Sequence, residues 1–346
     1  MALTLRDILG DKTFIIAEIG QNHQGDIETA KKLIKAAKEC GADCAKFQKT
    51  NLSAKFTQAA LNRPYKSVNS FGETYGEHKA FLEFSENEFK ILQEYAKEIG
   101  ILFTASAMDI KSLEFLVDIG VPFVKIGSGD ANNFLLIEEA ARKNIPLVIS
   151  TGMQSFETVK WIYDTVSRYK KNFALLHCVS AYPTPFEDIN LRVLKLYQEE
   201  FPDIVIGYSG HELGIDISAA AVALGSKIIE RHITLDKQQK GSDHKCSLEL
   251  CEFKQLVTNI RNLEKSLGQT VKKIQPSEME CFQKLGKTIV YSKDLLKGHM
   301  LVYGDLDIKV AEPGGVDGSE INNIYGKILN THVLIDENLQ LEHLVT

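Results

Sequence analysis

The sequence predicts a (β/α)8 barrel, and three observations support that fold class. Short β-branched runs alternate with amphipathic helical segments from residue 14 onward, eight such runs fall within about 220 residues, and each run becomes polar towards its C-terminal end. Alternating strands and helices indicate parallel pairing through right-handed crossovers, and eight strands over this length match a closed barrel. A doubly wound open sheet is the alternative, which the absence of a GxGxxG motif after the first run disfavours.

The eight predicted strands are apolar or β-branched runs. They cover residues 14–20, 43–48, 101–106, 123–129, 146–152, 173–180, 203–210 and 226–234. Helical patterns such as ETAKKLIKAAKECG, ENEFKILQEYAKEIG and VKWIYDTVSRYKK lie between them. Several helical patterns stop at a glycine (Gly41, Gly100, Gly120), the residue best suited to the left-handed conformation at a helix C-terminus.

Composition and charge argue against a nucleic-acid-binding, secreted or membrane protein. A net charge of −6 gives no reason to expect a nucleic-acid partner. The six cysteines show neither a CxxC pair nor zinc-site spacing, which indicates reduced thiols and a cytoplasmic protein. The N-terminal residues lack the pattern of a secretory signal, and no run approaches the ~20 apolar residues of a membrane span, so no membrane association is expected.

Polar residues gather where the predicted strands end, which is the face that carries the active site in barrel enzymes. Alternate residues of a strand share a face, so Glu230 and His232 are expected to face the cavity, while Arg231 faces the outer helices. The residues at these strand ends are Glu18, Lys46, Gln48, Ser106, Lys125, Ser128, Ser150, Ser180, Ser209, His211, Glu230 and His232.

Two pairs among these residues indicate what the site could bind, a metal ion in one case and an anion in the other. His211 and His232 end neighbouring strands and could share a divalent metal ion beside Glu18; the alternative is that they are hydrogen-bonded core histidines. Lys46 and Lys125 bring two ammonium groups among several hydroxyls, which suits a carboxylate or phosphate ligand; the alternative is ion pairing with the nearby glutamates. A Schiff-base lysine fits this paired arrangement less well.

Two segments lie outside the alternating pattern. Residues 49–86 form an insertion rich in Asn, Tyr, His and Lys, which we expect to be a lid over the site. Residues 1–268 are predicted to be the barrel domain, 269–284 a linker and 285–346 a small β-rich domain. A unit of roughly 60 residues is marginally stable alone, so we expect it to dock by exchange between the subunits of a homodimer.

Ordered motifs along nearly the whole chain resemble the sialic acid synthase family. They are FIIAEIGQNHQGD, GADCAKFQKT, KIGSGDANN, ISTGMQS, LLHCVSAYPTPFED, IGYSGHELG, VALGSKIIERHITLD and KGSDHKCSLE. The resemblance implies a phosphoenolpyruvate-dependent transferase that forms a carbon–carbon bond with an N-acylated amino sugar. It also implies that the C-terminal domain is of the antifreeze-like (SAF) type.

Within the family the motifs look like those of the animal type. That likeness implies condensation of phosphoenolpyruvate with N-acetylmannosamine 6-phosphate to give N-acetylneuraminate 9-phosphate and phosphate, by C–O cleavage and with a divalent metal of the Mn²⁺, Mg²⁺ or Co²⁺ class. The same chemistry on free N-acetylmannosamine or on a legionaminate or pseudaminate precursor is an alternative. A non-catalytic binding protein on a barrel scaffold is a third possibility.

The resemblance also assigns roles to individual residues. His211 and His232 are the metal ligands, and Glu18 is the catalytic carboxylate beside them. Tyr182, Asp130 and Asp243 line the sugar site. In the C-terminal domain, Glu312 stands where bacterial members carry an arginine that reaches the sugar across a dimer, so that contact is not expected here. Because a phosphate needs a cation, Arg63 and Lys79 of the insertion are our candidates for the sugar phosphate, and Lys240 is another possibility; the alternative is that the cations of the insertion form a solvated face. The phosphoenolpyruvate ligands are Lys46, Gln48, Ser106, Lys125, Ser128, Ser150 and Ser209.

Overall fold

Eight parallel strands close into a barrel in the computed structural model, which describes residues 4–345 of the chain. The predicted (β/α)8 barrel is therefore confirmed, and the open-sheet alternative is wrong. Each strand pairs with its neighbours in sequence, and β8 pairs with β1 to close the ring. The strands are β1 (Phe14–Gly20), β2 (Cys44–Lys49), β3 (Leu102–Ala107), β4 (Val124–Ile126), β5 (Leu147–Ser150), β6 (Phe173–Cys178), β7 (Val205–Gly210) and β8 (Ile228–His232).

The outer layer consists of the helices that connect these strands. Buried aliphatic and aromatic side chains fill the space between the two layers. Helices α2 and α6 show why the segments fold locally: Asp26 and Ser85 cap their N-termini, and Gly41 and Gly100 end them in the left-handed conformation. The barrel unit contains α1 (Leu5–Leu9), α2 (Ile27–Cys40), α3 (Leu52–Lys55), α4 (Gln58–Asn62), α5 (Tyr75–Leu82), α6 (Glu86–Ile99), α7 (Ile110–Asp118), α8 (Phe134–Arg142), α9 (Phe156–Ser167), α10 (Val193–Glu200), α11 (Asp216–Ala223) and α12 (Leu250–Leu267), with 3₁₀ turns at Ser128–Asp130 and Phe186–Asp188.

The two ends of the barrel differ in polarity. Leu5 and Leu9 of α1 pack with the inward side chains that begin the strands, such as Phe14 and Phe123, and so make one end apolar. At the other end, the register sets polar residues side by side: Glu18 pairs with both Lys46 and His232, and Ser209 pairs with Glu230. These side chains are distant in sequence. The parallel register places them at the same height in the barrel, at the carboxyl ends of the strands.

The predicted insertion contains three short helices, α3, α4 and α5. A capping box of Thr74 and Glu77 begins α5, and a backbone bridge joins Pro64 to Thr74. The insertion contacts the loop after β8, since Gly241 N–H donates to Asn69 Oδ1 over 3.3 Å. No helix within the described residues is both long and apolar enough to cross a membrane.

The chain divides into two compact units, Met1–Gly268 and Gln269–Thr346. The second has its own apolar core, which includes Tyr291, Leu301 and Val333. Its elements are α13 (Met279–Leu285), β9 (Thr288–Tyr291), β10 (Leu306–Lys309) and α14 (Ile321–Ile324), with 3₁₀ turns at Pro276–Glu278, Gly318–Glu320 and Leu341–His343. The segment 269–284, predicted as a linker, carries most of α13, and the contacts place it with the second unit. The likeness of this unit to an SAF domain stays a prediction.

Candidate active site

A cavity of about 410 Å³ opens at the carboxyl ends of the barrel strands. Fourteen of the fifteen predicted site residues line it. Arg63 is the one that does not: it is exposed, and its guanidinium carbon lies 4.2 Å from the centre of the Tyr75 ring. The predicted residues in the lining are Glu18, Lys46, Gln48, Lys79, Ser106, Lys125, Ser128, Asp130, Ser150, Tyr182, Ser209, His211, His232 and Asp243.

The floor of the cavity is a buried network of two ammonium and two carboxylate groups. Lys46 Nζ lies 2.5 Å from Glu18 Oε2 and 3.7 Å from Glu230 Oε1, and Lys125 Nζ lies 3.5 Å from Glu230 Oε1. The lysines therefore do pair with glutamates, as the alternative interpretation expected. They also face the cavity and donate to hydroxyls there, Lys46 to Ser106 over 3.1 Å and Lys125 to Ser150 over 2.6 Å.

The two floor carboxylates have different proton affinities. Burial raises the pKa of Glu18, although Lys46 opposes the shift. Burial also acts on Glu230, but Lys125 and Lys46 outweigh it and hold the pKa of Glu230 at about 2. Glu230 is thus a permanent counter-ion for the lysines, whereas Glu18 is the more basic group and the better proton acceptor.

Two glycines keep the backbone close to these groups. Gly20 ends β1 at a register shift with φ of 55°, and a Cβ there would lie 3.2 Å from Glu18 Oε1 and 3.3 Å from His232 Cε1. A Cβ on Gly152 would collide with Ser180 Oγ and lie 2.9 Å from Ser128 Oγ. Any larger residue at either position would displace the polar side chains around it.

His211 and His232 lie side by side, with ring centres 5.4 Å apart. His211 Nδ1 is 2.9 Å from the carbonyl oxygen of Val179, which can only accept, so Nδ1 carries a hydrogen and Nε2 is the nitrogen left to bind a ligand. Burial lowers the pKa of His211, but Cys178 and the Val179 carbonyl outweigh it, so the pKa is raised. Burial lowers the pKa of His232 to about 3, so its ring is neutral near pH 7. Its Nδ1 is buried without a hydrogen-bond partner within residues 4–345, and Asp243 Oδ2 lies 3.9 Å away.

Arg231 of β8 forms an ion pair with Glu212, which follows His211 just after the end of β7. Both side chains are fully buried, and Arg231 Nη1 lies 2.9 Å from Glu212 Oε1. The guanidinium also donates to the carbonyl oxygens of Glu212 (2.6 Å) and Gly214 (2.9 Å), and Tyr208 donates to Glu212 Oε2 over 2.7 Å. The outward direction predicted for Arg231 thus has a structural reason: the ion pair fixes the chain directly after His211.

Several residues that line the cavity were not predicted from the sequence. They include Gln21, Lys55, Tyr75 and Cys178. Lys55 ends α3 and pairs with Asp130, Nζ to Oδ2, over 3.0 Å. No periodic pattern marks Lys55 or Tyr75, since both lie in the insertion, whose path the alternation of strands and helices does not define. Cys178 ends β6 and could have been found from its strand-end position alone.

A parallel eight-stranded barrel with buried lysine, glutamate and imidazole groups at the carboxyl ends of its strands defines this protein as a (β/α)8-barrel enzyme. The family comparison is more specific: the model of the NeuB family matches residues 33–272, and the chain belongs to that family. The resemblance to sialic acid synthases and the assignment as an enzyme are thereby confirmed.

Three relatives show how far the similarity extends. N-acetylneuraminate-9-phosphate synthase of Homo sapiens is 54% identical over 95% of this chain and 92% of its own length. The protein of that name in Drosophila melanogaster is 49% identical over 97% and 98%. The crystal structure of N-acetylneuraminic acid (sialic acid) synthetase from Leptospira borgpetersenii serovar Hardjo-bovis, in complex with citrate, is 35% identical, covers 79% of this chain and 90% of its own, and has a TM-score of 0.68.

Proposed function

We propose that the enzyme condenses phosphoenolpyruvate with N-acetylmannosamine 6-phosphate to give N-acetylneuraminate 9-phosphate and phosphate. The observation that carries the proposal is the convergence of a basic carboxylate, two buried ammonium groups and two adjacent imidazoles in one cavity. The names of the human and Drosophila relatives agree with this reaction.

Phosphoenolpyruvate would bind at the floor. Lys46 and Lys125 supply point charges for its carboxylate and phosphate, and the hydroxyls of Ser106 and Ser150, which already accept from these lysines, orient them. Ser128, Ser209 and Gln48 line the same region. Glycine at position 152 lets the hydroxyls of Ser128 and Ser180 stay where they are, since a Cβ there would collide with both.

A divalent metal would be held by His211 and His232. No group of three or more His, Cys, Asp or Glu side chains within residues 4–345 is placed to hold an ion, so two imidazoles would be completed by substrate and water oxygens. The free Nε2 of His211 and the unpartnered, buried Nδ1 of His232 fit that role. Such an ion supplies Lewis-acid polarisation of the sugar's aldehyde oxygen.

The protein's own groups would act on the rest of the reaction. C3 of phosphoenolpyruvate attacks the aldehyde carbon of the open-chain sugar, which leaves cationic character at C2. Glu18 takes a proton from the water that adds to C2 and passes it to the oxygen of the former aldehyde. The tetrahedral intermediate then expels phosphate with its bridging oxygen, and the remaining hydroxyl proton at C2 leaves with the phosphate. The raised pKa of Glu18 suits it to accept that proton, and Lys46 and Lys125 stabilise the anionic groups throughout.

Comparing the two acceptors tests the substrate. With phosphoenolpyruvate saturating, kcat/KM for N-acetylmannosamine 6-phosphate should exceed that for free N-acetylmannosamine. Equal or better use of the free sugar would favour the alternative acceptors, and legionaminate and pseudaminate precursors would then be assayed in the same way. A non-catalytic binding protein has no need of a basic carboxylate beside paired imidazoles, but absence of phosphate release with every acceptor would restore that interpretation.

The proposal extends to a homodimeric assembly and a cytoplasmic location. A homodimer with exchanged C-terminal units would satisfy the docking need of the small second unit, and light scattering of the purified chain would measure its mass. The cytoplasmic location is proposed from the cysteines, all six of which are free thiols.

A further inference from the structure

The cavity contains a second cationic region, separate from its floor. Lys55 and Lys79 both belong to the insertion between β2 and β3, and both line the cavity together with the floor lysines. Tyr75 and Gln21 lie beside them in the lining. The mechanism above uses neither of these two lysines.

Lys79 lacks the counter-ion that a partly buried ammonium group normally has. No carboxylate within residues 4–345 lies at ion-pair distance from its Nζ, which donates instead to the neutral amide oxygen of Gln21 over 3.1 Å. Burial lowers the pKa of Lys79; Asp243 opposes the shift, and the charge of Lys55 adds to it. An ammonium group that has lost water without gaining an anion is stabilised when an anionic ligand arrives.

The neighbouring cations are differently engaged. Lys55 already pairs with Asp130, at 3.0 Å between Nζ and Oδ2. Arg63 lies over the Tyr75 ring, and Lys240 Nζ lies 4.7 Å from the centre of the Phe71 ring; neither lines the cavity. The structure therefore singles out Lys79, with Lys55 near it, among the cations of this region.

The chemistry of the proposed acceptor places its phosphate here. The aldehyde carbon is C1 and the phosphate is carried on C6, so the two lie at opposite ends of the open chain. C1 must meet phosphoenolpyruvate and the imidazoles at the strand ends, which directs C6 towards the insertion. A free 6-hydroxyl needs no cation at that end, whereas a phosphate dianion does, and lysine binds phosphate as a point charge.

We infer that Lys79, assisted by Lys55, binds the phosphate of the acceptor and makes the enzyme select phosphorylated over free amino sugar. This inference rests on the proposed function. Gln21 holds the Lys79 ammonium towards the cavity, and Arg63 supports the site only through Tyr75.

The test is the selectivity ratio, defined as kcat/KM for N-acetylmannosamine 6-phosphate divided by kcat/KM for N-acetylmannosamine. Hydrogen bonds to charged groups contribute about 1.5–3 kcal/mol, so Lys79→Met should lower this ratio roughly 10–150-fold. Lys79→Arg keeps the charge and should retain most of the ratio, and Lys55→Met should lower it less than Lys79→Met. Lys66→Met removes an exposed lysine of the same insertion that does not line the cavity, and should leave the ratio unchanged.

Two results would overturn the inference: an unchanged ratio in Lys79→Met, or equal loss with both acceptors, which would make Lys79 a structural link between the insertion and Gln21. Circular dichroism of each variant establishes that it is folded. If Lys79→Met does not fold, Lys55→Met provides the test, and an unchanged ratio in that variant would overturn the inference. The wild-type ratio tests the proposed acceptor separately, because a wild-type ratio near one would refute the acceptor before any variant is compared.

Discussion

Replacing Arg231 by methionine removes one half of an ion pair whose two side chains are both fully buried. Glu212 would keep the Tyr208 hydrogen bond but lose the guanidinium and remain away from water. Breaking a buried pair in this way costs about 3–5 kcal/mol of unfolding free energy, because the remaining charge is uncompensated. Urea denaturation followed by circular dichroism should record a loss of that size.

A second variant tests whether the loss of stability comes from the unpaired charge of Glu212 or from the changed packing. In Arg231→Met/Glu212→Leu both charges are gone, and similar buried pairs are replaced by apolar residues at little cost, so stability should recover by more than half of the loss. The hydrogen bonds from Arg231 to the carbonyl oxygens of Glu212 and Gly214 stay lost. Because these bonds fix the chain directly after His211, a proposed metal ligand, we expect the Co²⁺ affinity of the double variant to remain below that of the wild type. Isothermal titration calorimetry would measure it.

The matched control is Arg142→Met, which removes an arginine–glutamate pair of 2.6 Å from the exposed surface of α8. Water and salt screen such a pair, so this variant should denature at the wild-type urea concentration. A loss of unfolding free energy below about 1 kcal/mol in Arg231→Met, or a double variant no more stable than Arg231→Met, would contradict a stabilising role for this buried ion pair.

Two pH dependences follow from other carboxylates. Glu18 must be ionised to accept a proton, so kcat/KM should fall as pH is lowered through its raised pKa. Glu18→Gln should lower activity about 10²–10⁴-fold, and its pH profile should lack that acidic limb. An acidic limb that is unchanged in Glu18→Gln would contradict the role of Glu18 as proton acceptor. In the second unit, burial of Asp305 is outweighed by Lys293, the backbone of Val302 and His299, which hold the pKa of Asp305 at about 2 against an ordinary value of 3.8. Its stabilisation is therefore present above pH 3.8 and lost as pH falls through 2, so the Tm advantage of wild type over Asp305→Asn should shrink over that range; a gap independent of pH would be inconsistent with an ionised Asp305.

The barrel strands and the residues at their ends could be predicted from the sequence, because strand periodicity and strand ends are local features. Glu230 and His232 could be directed inward by alternation alone, and barrel closure then placed His232 beside Glu18. The ion pairs of Lys46 with Glu18 and Glu230 were anticipated as an alternative, yet their distances depend on register between strands.

The insertion and the outer layer could not be predicted in the same way. Arg63 and Lys79 are both cations of one irregular segment, and only its folded path brings Lys79 into the cavity and leaves Arg63 on Tyr75. Arg231 was recognised as facing outward, but its partner Glu212 follows β7 in a turn whose course no periodic pattern gives. Contacts made by loops depend on tertiary packing, which strand and helix patterns do not encode.

The location of the bridging oxygen of phosphoenolpyruvate tests the central claim most directly. The enzyme would be incubated with N-acetylmannosamine 6-phosphate and phosphoenolpyruvate labelled with ¹⁸O between C2 and phosphorus, and both products would be analysed by mass spectrometry. Attack of water at C2 predicts that the label leaves in inorganic phosphate and that the sugar product is unlabelled N-acetylneuraminate 9-phosphate. Label retained in the keto acid, or no sugar acid formed, would contradict the account.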